Sequence, residues 1–444
     1  MDRREFLQSA AGLCLASALA PADGPAATSD LAAPKVVRQS ARLRNRRPYA
    51  RIDWSTAQQI NTTSHGHCVN DKMLGPYRRR DFGLYTISNY YPSAPTMPAK
   101  TIDRNHYRLH HDWPLVVNGR RTSGPFDWNK IVAAWQDELP AAQRAQFPFA
   151  SGGPMLPSFP DGVLEAPNAE HHCFLDRAGQ IIWPLHVCAP GSAFKSGTFD
   201  AGLRFLTKKA GFGMGVGEAW DVGFDRLIDG LVVPDGGGIT INHPRWSHHR
   251  REDLLTWLDF DARVLGIEVL EDGENAEAYW DWILATGRQC FGFFVPDWRA
   301  MRLVNNSGLS DGPDVTFGVN VLVVPERTVE ACLRAYRRGD FYGARSGLGA
   351  LRFTRIDFGE REVVVETDKP ARFEAITSRG VVATAEGTRL TWPVPQPDGH
   401  CGWTGSSMDV FVRLRATATD GSGEVLYTQP YLFATAEMSD WRLK

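Results

Sequence analysis

Between residues 51 and 347 the chain repeats one pattern, a short apolar run bounded by Gly, Pro or charge and then a segment of helical periodicity. The runs at 84–87, 181–183, 238–241, 264–270, 290–295 and 319–324 have the length and unbroken apolarity of buried strands. Helical spacing marks 198–209, 217–229, 251–258, 275–286 and 328–338 between them. Such alternation predicts an α/β fold, a parallel barrel or a doubly wound sheet. In those folds chemistry gathers at the C-terminal ends of strands, so the residues that follow each run are the ones to read.

They form a specific set. Ile60-Asn61-Thr62-Thr63-Ser64 ends in His65-Gly66-His67, and the run at 164–169 leads into Glu170-His171-His172. The runs at 181–185, 239–241 and 290–295 end in His186, in Asn242-His243-Pro244 and in Pro296-Asp297. Imidazoles and carboxylates converging at strand ends are the donor types that hold Zn²⁺, Mn²⁺ or Fe²⁺. His-x-His suits a strand end because residues two apart point to one face. Taken singly each motif is weak; five at successive strand ends point towards a metal site. The glycine-rich run 211–217 follows no strand and reads as a loop rather than a dinucleotide site. His110-His111 and His248-His249 read as solvated residues.

Composition narrows the partners. The 444 residues are 43% hydrophobic, enough for a sizeable core, and the length suggests two or three domains. A formal charge of −2 gives no reason to expect a nucleic-acid partner. At the N-terminus, Arg3-Arg4-Glu5-Phe6-Leu7 and the weakly apolar stretch to Ala22 match a twin-arginine export signal, too short for a membrane span. Residues 1–27 are therefore expected to be a leader, leaving no transmembrane segment in the mature protein and placing it in the periplasm or outside the cell. Residues 28–50, rich in basic side chains, read as a linker. Six cysteines remain beyond the leader, and burial as small apolar residues is expected for most.

The ordered series resembles the PHP (polymerase and histidinol phosphatase) superfamily of metal-dependent phosphoesterases. The matching stretches are Ile52-Asp53-Trp54, His65-Gly66-His67, Pro167-Asn168-Ala169-Glu170, His186, Asn242-His243-Pro244, Gly266-Ile267-Glu268-Val269, Asp297 and Arg338-Gly339-Asp340-Phe341-Tyr342. The resemblance implies a distorted seven-stranded β/α barrel over residues 51–348. It implies one metal held by His65, His67, Glu170 and Asp297, and a second sharing Glu170 with His186 and His243. His172 is an alternative for the His186 role. The shared position needs a carboxylate, which can give one oxygen to each of two cations about 3.5–4 Å apart.

Two departures concern a third metal. Where the family has Thr-Asp-His, this chain has Ser88-Asn89-Tyr90-Tyr91, and where it has Asp-x-His, this chain has Asp297-Trp298-Arg299. Arg299 would then stand as a fixed cation able to receive a phosphate or carboxylate. Glu268 would orient a ligating histidine from behind. Asn89, Tyr90, His172, Arg245 and Trp298 adjoin the motifs as candidate substrate contacts, with Trp246 a further aromatic wall that would suit a sugar or aryl group.

Beyond residue 348 the period changes to two, with strand-like runs at 363–365, 373–376 and 410–416 and a turn at Asp420-Gly421-Ser422-Gly423. Residues 349–444 are expected to form a small antiparallel β-sandwich. The expected function is an exported hydrolase with one or two divalent transition metals, a phosphoesterase of small organic phosphates that uses a metal-activated water. Hydrolysis of a carboxylic or carbamate ester on the same fold is one alternative. A non-catalytic relative that binds a glycan or anionic ligand is the other.

Overall fold

The structure, a computed structural model, describes residues 36–68, 71–88, 115–117, 120–122, 162–177, 180–192, 218–271, 273–305, 316–359, 361–394 and 410–433. The expected leader, the helix at 198–209, the run 211–217, and Asn89, Tyr90, Tyr91, His110, His111 and Cys401 lie outside them. After a short turn of 3-10 helix at Ala41–Leu43 come β1 (Gln58–Thr62), α1 (Asp71–Arg79), β2 (Leu84–Tyr85), β3 (Leu115–Val117), β4 (Arg120–Thr122), β5 (Leu164–Glu165), β6 (Glu170–Arg177) and β7 (Gln180–Cys188). Next are β8 (Glu218–Ala219), α2 (Trp220–Asp229), β9 (Ile239–Ile241), α3 (Arg251–Phe260), β10 (Val264–Glu271), β11 (Glu274–Asn275), α4 (Glu277–Ala285), β12 (Phe291–Val295) and α5 (Arg299–Asn305). The chain continues through β13 (Val319–Val324), α6 (Val329–Arg338) and β14 (Phe341–Ala344). It ends in β15 (Phe353–Phe358), β16 (Glu362–Thr377), β17 (Gly380–Pro393), β18 (Phe411–Ala418), β19 (Val425–Tyr427) and β20 (Tyr431–Leu432).

These strands do not close into a seven-stranded β/α barrel. Nine of them form one sheet, in the order β1-β13-β14-β19-β18-β16-β15 with β17 beside β16 and β20 beside β18. Its pairings are antiparallel, and the sheet curls into a half-barrel. A second sheet runs β11-β10-β9-β7-β6-β8 with β12 beside β10, and is parallel only along β9-β10-β12 and at β6-β8. The reason is connection length. Only residues 178 and 179 separate β6 from β7, whereas a parallel crossover takes about a dozen residues or more, so the two form a hairpin. Among the described residues the C-terminal strands do not form a sandwich of their own, because β14 pairs with β19 and carries them into the sheet that contains β1 and β13.

Side-chain amides satisfy the edge of β12 that faces the antiparallel sheet. Gln429 accepts from the Gly292 N–H (2.8 Å) and donates to the Gly292 carbonyl (2.8 Å), as a neighbouring strand would. Asn320 on β13 accepts from the Phe294 N–H at 2.9 Å. Between the sheets lies a shared core of Ile60, Leu84, Phe291, Phe293, Leu322, Leu333, Tyr336 and Phe341. The helices α2, α3 and α4 cover the outer face of the second sheet, where Trp257 and Trp280 are fully buried. Helix α6 has each expected end signal. Thr328 accepts from the Ala331 N–H, Arg337 and Arg338 fill the last turn, and Gly339 takes the left-handed conformation (φ 75°) that an L side chain rarely adopts.

The basic segment after residue 35 is not simply solvated. Arg44 is buried, with donors on the Gln289, Leu258 and Asp261 carbonyls, and Gln39 pairs with Asp261 and Ala262. Cys68, Cys173, Cys188, Cys290 and Cys332 are buried, and Cys188, Cys290 and Cys332 carry free thiols. No helix among the described residues is long and apolar enough to cross a membrane.

Behind β14 the buried Asp340 accepts from the Tyr49 N–H at 2.9 Å. Burial raises its carboxyl to about 6, against the pull of that bond and of Arg338 and Arg51. The folded state therefore favours the protonated form, and this contribution is complete below the unfolded pKa and lost as pH rises towards about 6. Asp340→Asn keeps the acceptor but cannot ionise. In urea unfolding at successive pH values, the variant should gain stability relative to wild type from about pH 4 to about pH 6, then hold a constant difference. A difference that does not change over that range would contradict the assignment.

Candidate metal centre

The strand ends that carry the site are tied to one another by backbone hydrogen bonds. His65 turns inward after β1, with Thr63 Oγ1 accepting from the His65 N–H (3.0 Å) and donating to the His65 carbonyl (2.8 Å). On one side Asp297 N–H donates to His65 O (3.2 Å) and His67 N–H to Asp297 O (3.3 Å). On the other, Ser88 N–H donates to Gly66 O (3.0 Å), and Glu170 N–H donates to Ser88 O (2.9 Å). Asn168 Nδ2 bridges the Ser64 and Thr86 carbonyls, and Asn242 N–H reaches His186 O. The middle residue of His65-Gly66-His67 must be glycine, since a Cβ there would stand 2.6 Å from the Tyr77 hydroxyl.

This framework gathers six side chains that the sequence assigns to metal. Of His65, His67, Glu170, His186, His243 and Asp297, none is more than 3% exposed. One group is His65, His67, Glu170 and Asp297, and the other is Glu170, His186 and His243. In the first, Nε2 of His65 lies 3.2 Å from Glu170 Oε2 and 3.1 Å from Asp297 Oδ1, and Nε2 of His67 is 3.1 Å from each of those oxygens. Glu170 Oε1 instead faces Nδ1 of His186 (2.7 Å) and Nε2 of His243 (3.3 Å). One carboxylate thus presents each oxygen to a different pair of imidazoles.

The donors fit a divalent cation. Four ligands at about 2.0–2.1 Å around a tetrahedral ion stand about 3.3 Å apart, close to the observed spacing. The buried Nε2 of His65 and Oε2 of Glu170 make no hydrogen bond, although unpaired buried polar atoms are costly. Two nitrogens and two oxygens form a borderline set suited to zinc, manganese or iron.

The surroundings aim these donors. Glu268 takes His65 Nδ1 on Oε1 (2.8 Å) and the His243 N–H on Oε2 (2.7 Å), which turns His65 Nε2 towards the cluster. Ser247 Oγ meets Nδ1 of His243 at 2.8 Å. His243 and Asp297 sit at positive φ (29° and 43°), a conformation that costs a non-glycine residue about 1–3 kcal/mol. Burial alone would raise the Glu170 carboxyl, but His65, His186 and hydrogen bonds from His186 and His243 hold it well below the usual carboxylate range. For His65, burial favours the neutral ring, yet Cys188, Asp297, Glu268 and Glu170 together raise it well above an ordinary histidine.

The other candidates are placed as follows. Trp298 stacks on His67 with centroids 4.0 Å apart, and Trp246 meets His243 edge-on at 4.8 Å. Arg299 opens α5, and its Nε donates to the Thr316 carbonyl at 3.0 Å. Arg245 is exposed and pairs with Glu274 and the Asn275 carbonyl of β11, so it is held beside the site rather than in the cluster. His172 lies opposite His186 in the β6–β7 register, and Asn89 and Tyr90 are outside the described residues. Sequence reasoning missed Ser247, Ser88 and Tyr77. The i, i+4 spacing of His243 and Ser247 was a readable signal, but the other two contacts come from separate elements.

No family model and no curated protein matches the chain. One solved structure, of a two-domain protein from Bacteroides vulgatus containing a predicted PHP-like metal-dependent phosphoesterase, aligns over 88% of this chain and 99% of that one. The identity is 11% and the TM-score 0.36.

Two candidate metal groups sharing one carboxylate make unequal predictions for substitution. Glu170→Gln should lower the transition-metal content of the purified protein at both positions, His186→Ala at one only. Glu268→Gln should retain both and weaken affinity by about 10–100-fold. Elemental analysis and competition with a chelator measure all three. Equal metal content in wild type and Glu170→Gln would overturn the shared-ligand geometry.

Proposed function

We propose that the protein is a metal-dependent hydrolase, a phosphoesterase of small organic phosphates. The observation that carries this reading is Glu170, buried and divided between the His65/His67 and His186/His243 pairs. Bound divalent ions would supply Lewis acidity and a water acidified towards neutrality. The remaining work belongs to the chain. Glu268 fixes the tautomer and angle of His65, and Ser247 holds the ring angle of His243. Stacked on His67, Trp298 covers that ring from solvent and offers a flat wall to an aryl or sugar group. Arg299, two residues beyond Asp297, is proposed to attract the anionic substrate. In the hydrolysis the water oxygen bonds to phosphorus while the ester oxygen departs and takes up a proton. We further propose export by the twin-arginine route, on the strength of Arg3-Arg4 and the weakly apolar stretch that follows.

Phosphate release from a panel of aryl and sugar monophosphates, run beside carboxylic and carbamate esters, tests the reading. Monophosphates should turn over, chelation should abolish the activity reversibly, and Glu170→Gln should lower kcat/KM by about 100-fold or more with circular dichroism unchanged. Turnover of the carbon esters alone would replace the phosphoesterase by an ester hydrolase. Metal binding without turnover of any substrate would favour the non-catalytic relative.

A further inference from the structure

A cavity of about 390 Å³ opens where the N-terminal segment 38–46, the end of α3, the loop 286–289 and the C-terminal strands meet. It shares no lining residue with the metal cluster. Its charged lining is Arg38, Arg42, Arg44, Arg46 and Arg288 against the single carboxylate of Asp259. Two of these cations are locally neutralised. Arg288 forks onto Asp259 at 2.7–3.0 Å, and Arg38 pairs with Asp225 at 2.9 Å.

Arg44 is different. It is 6% exposed, and its only polar partners among the described residues are three neutral carbonyls, those of Leu258, Gln289 and Asp261. Its buried Nε has no hydrogen-bond partner. A guanidinium has five N–H donors, so donors remain for a further acceptor. Burial lowers it to about 10, against the pull of Asp259 and Asp261. Capping the last carbonyls of α3 explains part of Arg44's position. It does not explain Arg46, half-buried on the same wall, whose side chain makes no ion pair or hydrogen bond among the described residues. The same lining includes the apolar side chains of Phe260, Val410, Leu432 and Phe433, with the Arg38 guanidinium over the Phe260 ring at 4.0 Å.

A buried cation in a cavity that also has apolar lining suits a ligand with one anionic head and an apolar body. We propose that this cavity binds a small organic anion, a phosphate or carboxylate carried on an aromatic or aliphatic group, with Arg44 and Arg46 on the head and Phe260 and Phe433 against the body. The site is independent of metal and of the reaction proposed above.

The test is calorimetric titration of full-length protein stripped of metal by chelation. Phenyl phosphate and benzoate should each bind at one site per chain. Inorganic phosphate and benzyl alcohol, which each carry half of the recognition, should bind at least about tenfold more weakly. Arg46→Ala should weaken phenyl phosphate by about tenfold or more, and Arg46→Lys by less. His67→Ala should leave binding unchanged, which separates this cavity from the metal cluster and from the fate of the hydrolase reading. The proposal falls if neither organic anion binds saturably or if Arg46→Ala binds like wild type. It falls equally if His67→Ala abolishes binding, or if inorganic phosphate binds as tightly as phenyl phosphate.

Discussion

The position of one carboxylate organises the rest of the site. Glu170 is buried at the start of β6, where an ionised oxygen has no water and must find charge or hydrogen bonds within the protein. It finds imidazoles on both sides, and every element around it is arranged to deliver them. The β6–β7 hairpin brings His186, the crossing from β7 to β9 brings His243, and the loop after β1 brings His65 and His67. Those imidazoles are aimed in turn by Glu268, which spans His65 and His243 with its two oxygens. Two layers of buried carboxylate thus enclose the histidines. Without a cation such an arrangement is poorly compensated, and strained backbone at His243 and Asp297 adds to its cost.

The elements were legible in the sequence, and their directions were not. Apolar runs at 264–270, 290–295 and 319–324 correspond to β10, β12 and β13, and the helices expected at 251–258, 275–286 and 328–338 correspond to α3, α4 and α6. Periodicity reports which residues are buried, but parallel and antiparallel neighbours bury the same residue types. The pairing of β1 with β13 is therefore invisible in composition, while the two residues between β6 and β7 were a readable argument for a hairpin. The C-terminal strands were recognisable by their alternation. That they extend an existing sheet depends on the contact between β14 and β19, more than 80 positions apart.

The site was more legible than the fold because its chemistry is local. The candidate ligands lie within or beside segments that the sequence marks as strand-like: Glu170 opens β6, His186 lies in β7, and His243 and Asp297 follow β9 and β12 by two residues. What could not be read is the support. Ser88 and Tyr77 reach the His65–His67 segment from separate elements, and only the spacing of Ser247 from His243 was a signal. The tryptophans divide on the same principle, with Trp257 and Trp280 filling the core and Trp246 and Trp298 lying against ligand rings.

The amide of Gln429 has a consequence for the order in which the molecule can be completed. It supplies the backbone partner of Gly292 from 137 positions further along the chain, and the N–H of the same residue donates to the Tyr49 hydroxyl across 380 positions. Asp297 stands just beyond the strand that this amide secures. A nascent chain that has already produced all the candidate metal ligands still lacks the piece that seats β12. Closure of the candidate group at Asp297 is thereby deferred until residue 429 has been made, and a polypeptide cut short before it carries the candidate ligands without the scaffold that holds them.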